Sequence, residues 1–301
     1  MARRRPQEEL TMSRVVTAGI DGSQEGLDAA DWAAGEAALR SCLLRLVYVW
    51  RDMAGGGGYA SDPDVERRAA EALLHAAAEH LRAAHPHLRI ETQQKSGQPA
   101  DELSAEGARS ELLVLGSRGF GGIRGFVAGS VSLAVLARMR SPLVLVRNRP
   151  DREAAPTPDR GDVVLGLDLP RASTDALAFA FAAADRYRCG VKVVHSWTLP
   201  PVYGMGATDV VPTLMRETSD ERQKEMTEAL APWTETYPHV PVTRDCRQGH
   251  PTQDLVEASF GAGLVVVGLR HRDARLGSHI GPVVHAVLHH TAAPVAVVPH
   301  S

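Results

Sequence analysis

The chain has 301 residues, 44% of them hydrophobic, and a formal net charge of −3, which is enough material for two ordinary domains. The near-neutral charge balance and a sequence pI of about 6.5 give no electrostatic basis for binding nucleic acid, and no apolar run is long enough to span a membrane. Three scattered cysteines fit neither a disulfide framework nor a zinc site, so the sequence predicts a protein of the reducing cytoplasm.

Residues 1–12 begin with a basic run but lack an apolar core, which predicts a disordered polar tail and not a signal peptide. The next segment, 13–148, alternates short apolar runs with helical patterns. Strands are predicted at 14–20, 43–50, 88–94, 111–116 and 142–147, and helices at 24–40, 63–84, 100–109 and 129–139. This alternation is typical of a parallel, doubly wound α/β sheet with right-handed crossovers.

The chain repeats this pattern once. The run from Val15 to Asp21 resembles the run from Asp162 to Asp168, 147 positions later. From Pro86 onward the offset is 152, and we place the five additional residues in a loop at 198–218. The repeat predicts a first domain at 13–148 and a second at 161–301, joined by a linker at 149–160 that is rich in proline and charge.

A glycine-rich loop is the most informative feature of the first copy. Gly116 ends a predicted strand, Gly119 follows, and Gly129 and Ser130 begin a predicted helix. Such a turn presents backbone N–H groups at a helix N-terminus, which favours a phosphate. The loop contains no lysine and is neither a P-loop nor a Gly-x-Gly-x-x-Gly motif. The alternative is a surface loop that only connects strand to helix.

Two further residues end predicted strands at the same edge of the sheet, where ligands of doubly wound folds bind. Asp21 follows the first strand and Val49 lies at the end of the second. Asp21 also suits a helix cap or a turn, and Val49 suits an ordinary core position. Arg118 and Arg124 could pair with phosphate oxygens or face solvent.

Four motifs together resemble the universal stress protein family in its tandem form. They are a strand followed by Gly-x-Asp-Gly-Ser, Gly-x-Pro before a helix, Gly-x2-Gly-x9-Gly-Ser, and a closing Pro-Leu-Val-Leu-Val strand. The resemblance covers residues 13–148 and 161–299. It implies two open, parallel, five-stranded sheets of the adenine nucleotide alpha-hydrolase-like or Rossmann-like kind, each with the strand order 3-2-1-4-5.

The resemblance also implies an ATP-binding, nucleotide-gated regulator or stress-tolerance factor, with ATP in the first domain, with or without Mg²⁺. The residues that it assigns to ATP are Gly19, Asp21, Val49, Gly116, Ser117, Arg118, Gly119, Gly122, Gly129, Ser130, Val131 and Ser132.

The second copy departs from the family pattern in its glycine loop. His271 replaces Gly119, Asp273 adds a carboxylate, and Pro282 replaces Ser130 and so offers neither an N–H nor a hydroxyl. We therefore expect a weaker, altered or lost nucleotide site in the second domain. Its candidate residues are Asp168, Ser196, Gly268 and Gly281.

The sequence contains no catalytic constellation at a diagnostic spacing, and residues 116–132 contain no Asp or Glu. Slow ATP hydrolysis and a scaffold that binds a protein partner without nucleotide remain the alternatives. His285 and His289 could share a metal, but no third ligand follows at zinc spacing, and solvent-facing or capping histidines are the expectation, so no metal site is predicted.

The closing strands, 142–147 and 294–298, are almost wholly apolar and are predicted sheet edges, which invite pairing. The resemblance implies that the final strands of two domains associate about a two-fold axis. We therefore predict an internal pseudo-dimer of the two halves, and leave open whether whole chains form a homodimer. No nucleic-acid or membrane partner is predicted.

Overall fold

The two halves build one continuous sheet. The computed structural model describes residues 14–50, 63–117, 129–147, 161–199, 207–270 and 280–300. Its ten strands have the order β3-β2-β1-β4-β5-β10-β9-β6-β7-β8, so each half has the predicted order 3-2-1-4-5. The predicted tail and linker lie outside the described residues.

The elements alternate as the sequence predicts. The strands are β1 Val15–Gly19, β2 Leu43–Trp50, β3 Ile90–Ser96, β4 Leu112–Gly116, β5 Leu143–Val146, β6 Val163–Gly166, β7 Val191–Trp197, β8 Val242–Gln248, β9 Leu264–Arg270 and β10 Val295–His300. The helices are α1 Gln24–Leu39, α2 Pro63–Ala84, α3 Pro99–Gly107, α4 Ser130–Leu136, α5 Thr174–Tyr187, α6 Ala207–Thr236, α7 Pro251–Ala258 and α8 Pro282–His290.

One predicted loop is partly helical. The sequence predicts a loop at 198–218 that holds the additional residues of the second copy. In the structure α6 begins at Ala207, so the second part of that segment is helical. Pro212 lies within α6, where its missing N–H removes one backbone hydrogen bond without ending this long helix.

Helices cover both faces of the sheet, which is why its central strands are apolar on both sides. One core contains side chains of α1, α2, α5 and α6, and the other contains side chains of α3, α4, α7 and α8. Alternate residues of β5 enter different cores: Val144 packs in the first, whereas Leu143 and Leu145 pack in the second. Each core therefore continues from one half into the other.

The halves are joined by β5 and β10, as predicted. These strands pair antiparallel, with Val295 opposite Leu145 and Val297 opposite Leu143. Every other strand pair among the described residues is parallel. The pairing satisfies the backbone hydrogen-bonding groups of two apolar edges at once.

A buried carboxylate links the two halves above this seam. Glu36 on α1 is 0% exposed. Its Oε1 accepts hydrogen bonds from Arg40 Nε at 2.6 Å and from Arg186 Nη2 at 3.0 Å, and its Oε2 accepts one from the Tyr187 hydroxyl at 2.6 Å. Arg186 and Tyr187 belong to α5, so three donors from both halves surround one carboxylate. The 147-residue offset places Ala183 at the equivalent position, so the cluster occurs on one side only.

The cluster sets the ionisation of Glu36. Burial by itself would raise the pKa of this carboxyl, but the charges of Arg40 and Arg186 and the hydrogen bond from Tyr187 outweigh burial and hold the pKa below its ordinary value. A carboxylate with a lowered pKa in the folded state contributes stability above its unfolded pKa, and that contribution is lost as pH falls through the folded pKa.

Placing a charge in both edges of the seam should separate the halves or cause aggregation. Val144 and Val297 are fully buried, so Val144→Lys combined with Val297→Lys would bury two unpaired ammonium groups, each costing several kcal/mol. Small-angle scattering would show the change, with the exposed Val65→Lys variant as control. A double variant that keeps the compact wild-type envelope would contradict this arrangement.

Removing the buried carboxylate should destabilise the chain at neutral pH. Glu36→Gln leaves Arg40 and Arg186 without their anion, and we expect the free energy of unfolding to fall by about 3 kcal/mol at pH 7. The difference from wild type should shrink as pH falls below the ordinary pKa of glutamate, about 4.3, toward the lower pKa of folded Glu36, because the unfolded wild type takes up a proton before the folded form does. Urea unfolding of the variant and of wild type at each pH measures this difference. The exposed Glu79→Gln variant is the control, and it should change stability by less than about 1 kcal/mol. A pH-independent difference would rule out this role.

Candidate functional site

The strands that carry the predicted first-half site end at one edge of the sheet. Gly19, the last residue of β1, pairs with Val47 on one side and with Leu115 on the other. Asp21, two residues beyond β1, and Val49, near the end of β2, therefore lie at the same carboxyl edge as the end of β4. Crevices at such edges are where doubly wound sheets bind ligands.

A hydrogen bond joins the two ends of the glycine loop. The Ser132 hydroxyl, in the first turn of α4, donates to the carbonyl oxygen of Gly116 at the end of β4, with 3.0 Å between the oxygens. Gly129 caps α4 with an extended backbone and no side-chain hydrogen bond. Ser130 is exposed and Val131 is half-buried at the start of the helix. The central loop residues assigned to ATP, Arg118, Gly119 and Gly122, lie outside the described residues, as does Arg124.

Ser117 lies at the start of this loop with an unsatisfied hydroxyl. Its backbone N–H donates to the Val146 carbonyl oxygen at 2.8 Å, which continues the pairing of β4 with β5. The side chain is only 3% exposed, and within the described part of the chain its Oγ has no hydrogen-bond partner. Buried hydroxyl groups of this kind call for a partner, and a ligand in the loop is one candidate.

Packing disfavours a side chain at two glycines of the predicted site. A Cβ at Gly19 would lie 2.6 Å from Leu115 Cδ2 and 2.9 Å from Leu103 Cδ2. A Cβ at Gly116 would lie 2.5 Å from the carbonyl oxygen of Glu25, so the first turn of α1 packs directly on the end of β4. The absence of a side chain at these positions is explained without a ligand, and their role toward ATP stays a prediction.

Asp21 forms the turn that its sequence context allows. Its Oδ1 accepts hydrogen bonds from the backbone N–H of Ser23, at 3.0 Å, and from the Ser23 hydroxyl. Gly22 has a φ of 86°, which favours glycine, and Ser23 caps α1 by accepting from Gly26 N–H at 3.2 Å. The turn holds the exposed carboxylate of Asp21 at the sheet edge, where contact with a ligand stays a prediction.

The predicted second-half residues surround one cavity of about 560 Å³ at the carboxyl edge of β6, β7 and β9. Asp168, Ser196, Gly268 and Gly281 all line it. The described residues that line it without having been predicted are Leu167, Arg171, Ser173, His195, Leu255, Leu269, Arg270, Ile280, Val283 and His300, among others. The sequence could have indicated His195, because it precedes the predicted site residue Ser196. No pattern in the sequence indicates that His300 lines the cavity.

The histidines of the second half do not all face solvent. The His300 ring is half-buried beside Gly268, and the rings of His285 and His289 lie 4.1 Å apart. Desolvation, followed by the charges of His285 and Arg147, lowers the pKa of His289. His271 and His279 lie outside the described residues.

Three other properties of the described residues concern metal ligands, membrane-spanning helices and cysteines. In those residues no group of three or more His, Cys, Asp or Glu side chains is arranged to hold a metal ion. No helix within them combines the length and apolar character needed to cross a membrane. Cys42, Cys189 and Cys246 are not joined in disulfide bonds.

The sequence and the fold match known proteins. The family model described as the universal stress protein family matches residues 12–147 and 160–299. Universal stress protein Rv2005c of Mycobacterium tuberculosis is 31% identical over 289 residues, covering 94% of this chain and 96% of the relative. Universal stress protein Rv2623 of the same organism is 30% identical over 291 residues, covering 94% and 95%. A crystal structure of a universal stress protein from Archaeoglobus fulgidus shares the fold, with a TM-score of 0.62, 14% identity, and coverage of 96% of this chain and 99% of that one.

Adding one methyl group at Gly19 should destabilise the first half. Gly19→Ala forces Leu115 and Leu103 to move, and overpacking of this kind costs about 1–3 kcal/mol. Gly281→Ala is the matched control, because a Cβ there meets no atom of the described residues within 4 Å. We expect this substitution at the cap of α8 to change stability by less than about 1 kcal/mol. Urea unfolding measures both variants, and equal stabilities for the two would contradict the packing role of Gly19.

Proposed function

The chain belongs to the universal stress protein family, and we propose that it is a nucleotide-gated regulator that binds ATP in its first half. The observation that carries the proposal is the hydrogen bond from Ser132 to Gly116, because it brings the two ends of the glycine loop together beside Asp21 and Val49. A glycine loop with its ends joined in this way would be able to present backbone N–H groups to a phosphate at the N-terminus of α4.

The residues at this edge fit an adenine nucleotide. Val49, half-buried at the end of β2, would offer its backbone to the adenine edge, and the carboxylate of Asp21 would accept from the ribose. The unpartnered Ser117 hydroxyl and the exposed first helical residue, Ser130, would donate to the phosphates together with Gly119. Each of these groups is of the chemical type that the corresponding part of ATP needs.

Mg²⁺, if present, would arrive with the nucleotide. The described residues hold no cluster of three potential metal ligands, and Mg²⁺ at nucleotide sites is commonly bound by the phosphates, waters and one or two protein oxygens. The ion would neutralise phosphate charge there.

Regulation is favoured over catalysis by the composition of the loop. Residues 116–132 supply no carboxylate that could act as a general base near the terminal phosphate. The bound nucleotide would then act as a signal that alters a surface for a protein partner. We assign this role to the cytoplasm, in keeping with three cysteines that form no disulfide.

The second half would contribute little to ATP binding. Pro282 is the first residue of α8 and has no N–H to offer at the position of Ser130, and the sequence places His271 where the first loop has Gly119. We therefore expect about one ATP per chain.

A side chain in the first loop should abolish ATP binding without unfolding the protein. Gly119→His copies the second half and should weaken ATP more than tenfold, about 1.4 kcal/mol, because the ring occupies the space of a phosphate. Calorimetric titration of the full chain measures affinity and stoichiometry. Gly281→His, a matched substitution in the second half, should leave ATP binding unchanged. Two equivalent sites, or unchanged affinity in Gly119→His at an unchanged melting temperature, would refute the assignment.

A further inference from the structure

We propose that the amino ends of the first-half strands form a docking surface for an acidic segment of a partner protein. This edge of the sheet is opposite the glycine loop, and an exposed arginine precedes β3, β1, β4 and β5 there: Arg89, Arg14, Arg109 and Arg140. The inference rests on the placement and charge of these arginines and does not depend on ATP binding.

The sheet sets the spacing of this arginine row. Arg14 and Arg89 directly precede β1 and β3, and their carbonyl oxygens accept hydrogen bonds from the N–H groups of Leu43 and Leu44 on β2, at 3.1 and 3.0 Å. The other two arginines lie three residues before β4 and β5. Adjacent strands lie about 4.8 Å apart, so the row from β3 to β5 spans about 19 Å.

The arginine row carries more positive charge than the neighbouring carboxylates neutralise. Within the described part of the chain, the arginines that precede β3 and β5 form no ion pair. The side chains of Arg14 and Arg109 pair with Glu111 and Glu106 but stay 66% and 67% exposed. Glu106 is shared with a second cation, because Lys95 Nζ lies 2.7 Å from its Oε1. The edge therefore presents exposed guanidinium groups that can bind further carboxylates.

The second half shows that the fold forms without these arginines. The offsets of the repeat place Gly161, Pro241, Gly261 and Ala292 at the four positions. The two glycines pack backbone against backbone, since a Cβ at Gly161 would lie 1.8 Å from the carbonyl oxygen of Gly261. Folding therefore does not account for the arginine row of the first half, whereas a partner of complementary charge does.

A cavity of about 680 Å³ opens beside the row, between the ends of α1 and α2. Arg14, Arg89 and His87 line it together with apolar side chains, among them Leu43 and Leu88. A site that combines apolar walls with cationic groups suits an apolar side chain that is flanked by carboxylates.

The second half supplies its own carboxylate at the equivalent place. The repeat offsets place Asp185 at the position of Ala38, which lines the cavity, and His239 at the position of His87. Asp185 Oδ1 and His239 Nε2 lie 2.5 Å apart. The pair is an internal model of the proposed complex, because a carboxylate is bound there by the counterpart of a cavity residue.

An extended acidic peptide fits the arginine row better than a nucleic acid does. About six extended residues span 19 Å, and arginine binds carboxylates through paired hydrogen bonds. No aromatic side chain that could stack on bases is found among the described residues of the row or of the cavity lining. The net charge of −3 also disfavours a polyanion as large as a nucleic acid.

Fluorescence anisotropy with a labelled peptide, Glu-Glu-Glu-Leu-Glu-Glu-Glu, and the full-length chain tests the proposal in the absence of nucleotide. Arg89→Gln combined with Arg140→Gln should weaken peptide binding about tenfold. Arg216→Gln combined with Arg244→Gln removes the same charge from exposed positions of the second half and should change affinity less than about twofold. No binding by wild type, equal losses in the two double variants, or tighter binding of a single-stranded oligonucleotide of the same charge would overturn the proposal.

A second pair of variants locates the peptide at the cavity. Ala38→Asp copies the second half and should weaken the peptide about tenfold, because the new carboxylate pairs with His87 and repels the carboxylates of the peptide. Ala38→Asn, which has the same size without the charge, should keep the wild-type affinity within about twofold. Unchanged affinity in Ala38→Asp at an unchanged melting temperature would refute the assignment. Since ATP is absent from these measurements, a negative result here leaves the ATP proposal standing, and the converse also holds.

Discussion

The pairing of β5 with β10 is the constraint on which the rest of the architecture depends. Each half ends on a short apolar strand at a sheet edge, and the N–H and C=O groups of such an edge need a partner. Because both edges belong to one chain, each satisfies the other, and both cores continue across the seam. The antiparallel sense of this pairing has a functional consequence. It reverses the strand direction between the halves, so the carboxyl ends of the parallel strands, where both candidate sites lie, face opposite edges of the sheet.

The interface between the two halves is asymmetric, although the halves repeat one domain pattern. Glu36 receives donors from its own helix and from α5, while its counterpart in the second half is an alanine. In a dimer of identical domains such a cluster would occur twice. Within a single chain the cluster can occur once, and the equivalent positions of the other half can hold ordinary core residues. The same freedom underlies the divergence of the two candidate sites.

Besides the glycine loop, the two halves differ in where the helix after the first strand begins. Both halves keep a glycine at the end of the fourth strand and an aspartate after the first. In the first half, α1 starts early and packs its backbone on Gly116, and in the second half a 3-10 turn delays α5 and leaves a cavity. Glycines that resemble ligand contacts can therefore be demanded by packing alone, as Gly116 is by the backbone of Glu25.

The sequence by itself determined the fold class, the strand order through its family resemblance, and the pairing of the final strands, because periodicity and apolar edges are local properties of the chain. It also identified Asp168, Ser196, Gly268 and Gly281, which the fold gathers around one cavity. Only the tertiary structure decided that Glu36 is enclosed by donors from α5, that α6 absorbs part of a predicted loop, and that His195 and His300 line the second cavity. These features depend on contacts between residues far apart in the chain, and no local pattern encodes which distant side chain fills a given space.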